Sequence, residues 1–426
     1  MRLGLGNTLV NGGGSLNPDG LSLDLQFATD KTLTARKGPT PTFTRASTAT
    51  FVGSDGLIQS AAINQARFDH DPSTLVSRGL LIEESRTNLC LHSNTFNNWT
   101  VTNSTVEVSS VLTPEGTADA WKSVEDILLA THSVARNFTP VSGTTYTMSV
   151  WLKSAENGFA FVGLAGGGFT ATFISVNLST GAVTTATGSP VGAASVGYSN
   201  GWWRVSFSLA ATASASSTIN VRLSRDGDWA NRTYLGNGVN GIYVYGAQVE
   251  AGAFPTSYIP TTSASVVRSM DLCSITGSDF TGMYNEFAGT VLCESTLNGV
   301  GPIVNPDTAV FGGQQNGIFM REYTGASSLN GIITSDESLT FDSSMGNVSS
   351  GVARKSSMAF QNGGSAILCL NGTLGTQDNS VTLPSDATGG STPIELTLFR
   401  GQFSTVKSFR YYKKRLANAK LQALTA

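Results

Sequence analysis

Hydrophobic and polar residues alternate with a period of two through much of the middle of this 426-residue chain. In TYTMSVWLKS, Tyr146, Met148, Val150 and Leu152 share one face, while Thr147, Ser149, Trp151 and Lys153 share the other. WWRVSFSLA repeats the pattern, with Trp203, Val205, Phe207 and Leu209 set against Trp202, Arg204, Ser206 and Ser208. INVRLSR alternates in the same way, and IYVYGAQVE supplies a further strand. Each run is bounded by Gly, Asn, Ser or Pro, and no helical period intervenes between about residue 95 and 260. The pattern predicts an antiparallel β-sandwich of the jelly-roll kind, with one core face and one wet face per strand.

A Pro-bracketed linker without periodicity, FPTSYIPTTSAS, leads to a second set of strand-like runs, GTVLCES, SAILCLNGT and ELTLFRG. The chain closes on SFRYYKKRLANAKLQALTA, where Leu416, Ala419 and Ala423 recur at helical spacing and predict one short C-terminal helix. The first ninety residues read differently. A glycine-rich stretch at 11–14, a Pro-broken stretch at 37–43 and RFDHDP at 67–72 contain no long periodic element. The expected organisation is therefore all-β: an extended N-terminal arm over 1–94, a β-sandwich over 95–262 and a second β-sandwich over 270–426. Such an arm has to be ordered by packing on the following domain or on neighbouring subunits, because free termini fray.

Composition sharpens this picture. Ser, Thr and Gly number 51, 50 and 47, whereas charged residues make up only 13% of the chain. That balance suits turns and short strands and disfavours long helices. The net charge of -3 gives no electrostatic reason to expect nucleic acid. No run approaches the ~20 apolar residues of a membrane helix, and the N-terminus lacks a signal pattern, so an intracellular product without membrane insertion is expected. Cys90, Cys273, Cys293 and Cys369 stand far apart and read as buried free thiols.

Candidate chemistry is sparse. Only three histidines, His70, His92 and His132, are present, too few to build a zinc site or a Ser/His/Asp triad readily. Glu83 and Glu84 are adjacent, so in an extended segment they point to opposite faces and cannot flank one glycosidic bond. No cofactor is expected. The segment SRDGDWANR offers Asp226, Asp228 and Asn231, which read as a solvated turn with a structural calcium loop as the alternative. GGQQNG at 312–317 has the glycine spacing of a phosphate loop without its Lys, and reads as a turn. The oddity is Trp151 and Trp202, which fall on the polar faces of their strands beside Lys153 and Arg204. They form either a sugar-stacking surface, with Arg204, Trp229 and Tyr234, or a surface covered by the arm, a loop or another subunit.

Three stretches carry a resemblance. PTFTRASTATFVGSDGLIQ with RFDHDP and GLLIEESRTNL resembles a segment found near the N-termini of tailed-phage virion proteins. YSNGWWRV, GIYVYGAQVEAGAFPTSYIPT and VVRSMDLC resemble the carbohydrate-binding-module-like jelly roll that follows it, although Tyr245 stands where that family often has Trp. RYYKKRLANAKLQALTA resembles the end of a laminin-G or concanavalin-like sandwich. The resemblance implies a virion protein made in the bacterial cytoplasm, in which Arg67, Asp69, His70, Asp71 and Arg86 hold the turns of the arm. Its implied partners are other virion proteins, further copies of itself in a homotrimer and host-surface glycans. It further implies a non-enzymatic fibre or spike for glycan adhesion, with a capsid decoration or connector protein and a polysaccharide depolymerase as the alternatives.

Overall fold

The computed structural model describes residues 20–297, 307–312, 317–323, 328–335, 338–346, 349, 351–384, 395–400 and 404–426. The glycine-rich stretch at 11–14 and most of GGQQNG lie outside them.

The alternating runs fold as their period requires. One six-stranded sheet has the order Val191–Gly197, Trp203–Ala210, Thr145–Ser154, Gly241–Ala251, Trp121–Glu125 and Ser104–Val108. Facing it is a sheet in the order Val183–Thr187, Thr172–Asn177, Phe159–Gly166, Ser217–Ser224, Ser133–Phe138 and Thr100–Thr102. All neighbouring strands are antiparallel, with Val150 opposite Val205 in the first sheet and Val162 opposite Val221 in the second. Met148, Val150, Val205 and Phe207 meet Val162, Ile174, Val221 and Leu223 between the sheets, all fully buried. One expectation is corrected here: the outer face of the first sheet is not wet. Residues 146–152 of Thr145–Ser154 are buried on both faces, because a further layer of chain covers that side.

Part of that layer comes from the N-terminal segment, which is also built into the second sandwich. Leu21–Leu25 and Ser77–Ile82 both pair with the penultimate element of the chain, Ser404–Tyr412, and Phe68–His70 pairs with Ser77–Ile82. Thr42–Thr44 pairs with Leu272–Thr276 in the opposing sheet. Residues of the first ninety thus extend both sheets of the C-terminal sandwich. Leu23, Leu25, Phe43, Leu80 and Ile82 lie in one core with Val291, Phe360 and Phe409. Gly79 enables this docking: its φ is +89°, and a Cβ there would sit 2.1 Å from the Val406 carbonyl oxygen.

The consequence is an insertion. Strands of one sandwich precede and follow the other, and the chain enters and leaves the inserted module side by side, Arg86–Asn88 pairing with Val266–Arg268. Asn88, fully buried at this neck, donates to the carbonyls of Ala247 and Ile259 and accepts from the N–H groups of Cys90 and Val249. Helix is confined among the described residues to short pieces, including the C-terminal Asn418–Thr425. All four cysteines are free and buried.

Candidate functional site

The blocks PTFTRAS, RFDHDP, GLLIEES and VVRSMDLC converge at the neck on a buried ionic cluster. Arg45, Arg67, Arg268, Glu83 and Asp271 have side chains at most 1% exposed. Arg67 donates to Glu83 at 2.7 Å, to Asp271 at 2.5 Å and to the Thr50 carbonyl at 2.8 Å. Arg45 reaches Asp271 at 3.2 Å, and an Arg268 nitrogen lies 2.9 Å from Glu83, too poorly aligned for a hydrogen bond. Glu83 also accepts from the N–H and hydroxyl of Ser257. Burial alone would raise Glu83, but Arg268, Arg67 and Ser257 hold its carboxyl at about 2. The cluster ties together the N-terminal segment, the strap leaving the inserted module and the start of the C-terminal strands. Sequence reasoning placed Arg67 in a turn-holding role, weighed Glu83 only as half of a carboxylate pair, and missed Arg45, Ser257, Arg268 and Asp271. A signal was present in Glu83, a charge at the end of the apolar run GLLI.

The other residues of this group hold turns beside the cluster. Asp69 accepts the Val52 N–H at 2.8 Å, and burial lifts its carboxyl to about 6 against the pull of that N–H and of Arg78. The His70 ring lies 3.2 Å from the Val52 carbonyl, and burial lowers its affinity for a proton. Asp71 accepts from the N–H groups of Ser73 and Thr74 and pairs with Arg78 at 2.7 Å. Arg86 pairs with Glu84 and stacks over Phe254 at 4.8 Å. Glu83 and Glu84 face different surroundings, one in the cluster and one on Arg86.

Trp151 and Trp202 do not form an open sugar platform. They are 1% and 0% exposed, packed in a second apolar cluster with Ile58, Tyr198, Tyr245 and Tyr258. The physical reason is the extra layer: Ile58 arrives from the N-terminal segment and Tyr258 from the expected linker, which lies as a strap across the sheet. Trp202 donates its indole N–H to the Leu112 carbonyl at 2.8 Å. Tyr245 meets both rings edge-on, at 6.2 and 6.3 Å. The covered alternative is the one the geometry realises.

Beside this cluster the covering layer leaves a groove of about 440 Å³ between the edge strand Val191–Gly197, the N-terminal segment and the strap. That volume falls within the range of about 300–1,000 Å³ usual for small-ligand sites. Its walls include Tyr198, Phe254, Pro255, Arg78 and Arg204. Arg204 is fixed over the Trp151 ring at 4.5 Å and donates to Ser149 and the Thr256 carbonyl, while its Nε has no hydrogen-bond partner. Of the expected sugar-binding residues, the groove gathers Arg204 and the edge of Trp151. Trp202, Trp229 and Tyr234 are not among its lining residues.

Trp229 and Tyr234 belong to a different surface. The Tyr234 hydroxyl donates to buried Glu125 at 2.8 Å, and Arg225 pairs with Glu125 at 2.9 Å while lying over the Tyr234 ring. Asp226 accepts from the Asp228 N–H and from the Asn231 side-chain amide, and Asp228 caps the short helical turn Trp229–Asn231 through the Ala230 N–H. These carboxylates accept from the loop's own donors, which is how the turn is held. Among the described residues no three His, Cys, Asp or Glu side chains are grouped to hold a metal.

No family model matches the chain, and no curated protein does. Solved structures show partial likeness. The CBM40 module of the Ruminococcus gnavus IT-sialidase, bound to α2,3-sialyllactose, is 12% identical over 36% of this chain and 96% of that module, with a TM-score of 0.30. The receptor-binding domain of botulinum neurotoxin C/D mosaic serotype is 10% identical over 36% of this chain and 40% of that one, with a TM-score of 0.31. The binding domain of Paraclostridial Mosquitocidal Protein 1 gives 10%, 36%, 43% and 0.29 in the same order. Two of these matches span less than half of the chains they resemble. The β-sandwich assignment itself stands on the strand pairing of this chain.

Proposed function

We propose that this protein is a non-enzymatic virion component of a tailed phage, a fibre or spike that adheres to host-surface glycans and works as a homotrimer. The observation that carries the adhesion reading is the groove between the inserted sandwich and its covering layer. It combines apolar wall, from Tyr198, Phe254 and Pro255, with guanidinium donors from Arg78 and Arg204. A sugar presents the same combination, an apolar ring face and a rim of hydroxyls. The virion reading is supported by the resemblance of the neck blocks to phage proteins, and their residues serve here to lock modules together.

The test is binding of purified protein to host-surface polysaccharide by the wild type and by Ala194→Trp. Ala194 is an exposed residue of the edge strand that lines the groove, so a large ring there fills it. The wild type is expected to bind and the variant to lose at least about tenfold in affinity; equal binding by both removes the groove from the account. Labelling on intact particles separates fibre from capsid decoration, and shortening of the polysaccharide would indicate a depolymerase instead.

A further inference from the structure

We infer that the outer face of the second sheet of the inserted sandwich carries a separate anion site, formed by Arg222 and Arg232 around Trp229, that takes the carboxylate of an acidic saccharide. This rests on the adhesion reading for the ligand's class and on the geometry below for the site. It lies on the opposite side of the sandwich from the groove, since Arg204 belongs to the first sheet and Arg222 to the second.

Phe161 and Phe173, both buried, project from the second sheet, and Trp229 lies on them at 5.1 and 4.8 Å between ring centres. Arg222, from Ser217–Ser224, stacks on Phe173 at 4.3 Å and reaches Trp229 at 5.4 Å. Arg232 stacks on Trp229 at 4.9 Å and donates to its carbonyl at 2.9 Å. Two like charges thus flank one indole. No carboxylate among the described residues lies within 4.0 Å of either guanidinium. The nearby acids are committed elsewhere, Asp226 and Asp228 to their own loop and Glu125 to Arg225 and Tyr234. The buried Nε of Arg222 has no hydrogen-bond partner. Burial, and then the nearness of Arg232, weaken the hold of Arg222 on its proton.

Buried Arg67 and the more exposed Arg225 each have a carboxylate partner, whereas Arg222 and Arg232 have none among the described residues. An anion bound at the outer ends of these guanidiniums would supply the missing countercharge, and the planar fork of a guanidinium matches a carboxylate with two parallel hydrogen bonds. Stacking on the aromatic rings holds both forks in place before the ligand arrives, which lowers the ordering cost of binding.

The experiment is calorimetric titration of the full chain with trigalacturonate, and with its methyl ester, which keeps the sugar skeleton and removes the charge. Saturable binding of the acid that weakens in high salt is expected, with the ester and each of Arg222→Gln and Arg232→Gln weaker by at least about tenfold. Thermal melting of the two variants checks that they remain folded; if either unfolds, Arg232→Lys, which keeps the charge but loses the fork, is expected to bind the acid more weakly than the wild type. No binding of the acid, equal binding of acid and ester, or unchanged binding by folded arginine variants would overturn the site. Loss in Ala194→Trp with retention in the arginine variants would place the acid in the groove and overturn it as well.

Discussion

Replacing Glu83 by Gln tests whether the neck is held by charge. Three arginines and two carboxylates share the cluster, so the substitution leaves Arg45, Arg67 and Arg268 facing Asp271 alone, all buried. Removing one partner of a buried ion pair typically costs about 3–5 kcal/mol, because the remaining charge has lost both water and partner. The pH dependence supplies a second estimate. Glu83 sits at about 2 in the folded chain against an ordinary 4.5. Its folded value is depressed, so its contribution is complete above about pH 4.5 and is lost as pH falls toward 2. At about 1.4 kcal/mol for each pH unit, the gap corresponds to about 3 kcal/mol. The assay is urea unfolding of wild type and Glu83→Gln, followed by circular dichroism and tryptophan fluorescence, at pH 7 and near pH 3. The wild type is expected to be more stable by about 3–5 kcal/mol at pH 7, with the difference shrinking at the acid pH. Equal stability at pH 7, or a difference that does not change with pH, would refute the reasoning.

Three further outcomes follow from the same contacts. Asp69 is raised from 3.8 to about 6 by burial, so it favours folding below about pH 4 and that advantage is lost as pH rises through 6. Asp69→Asn keeps an acceptor for the Val52 N–H and is expected to abolish a wild-type decline of up to about 3 kcal/mol between pH 4 and 6, measured by denaturant titration across that range. Gly79→Ala meets both a positive φ and the Val406 carbonyl, and is expected to destabilise by more than about 2 kcal/mol and to expose residues 20–82 to protease. Trp202→Ala removes a fully buried indole and its bond to Leu112, and should lower stability by about 3–5 kcal/mol in thermal or urea unfolding.

The long strands of the inserted module were legible because a half-buried strand writes its orientation with a period of two, as Thr145–Ser154 and Trp203–Ala210 do. The strands of the N-terminal segment were not. Thr42–Thr44 and Phe68–His70 are three residues long, too short for a period to register, and Leu21 pairs with Tyr412 near the other end of the chain. Alternation likewise told that Trp151 opposes Val150 but not what covers it, since the cover, Ile58 and Tyr258, comes from segments without periodicity. Arg204 was found from its position beside Trp202. The groove was not, because its walls are drawn from three stretches that meet only after the insertion closes.

The adhesion reading makes its most direct commitment in hydrogen–deuterium exchange of the intact protein with and without host-surface polysaccharide. Slowed exchange in the edge strand Val191–Gly197 and the strap at 253–258, absent from these segments in Ala194→Trp, is the predicted result. No protection in either segment while the polysaccharide binds, or the same protection in the variant, would contradict the groove as the adhesive site.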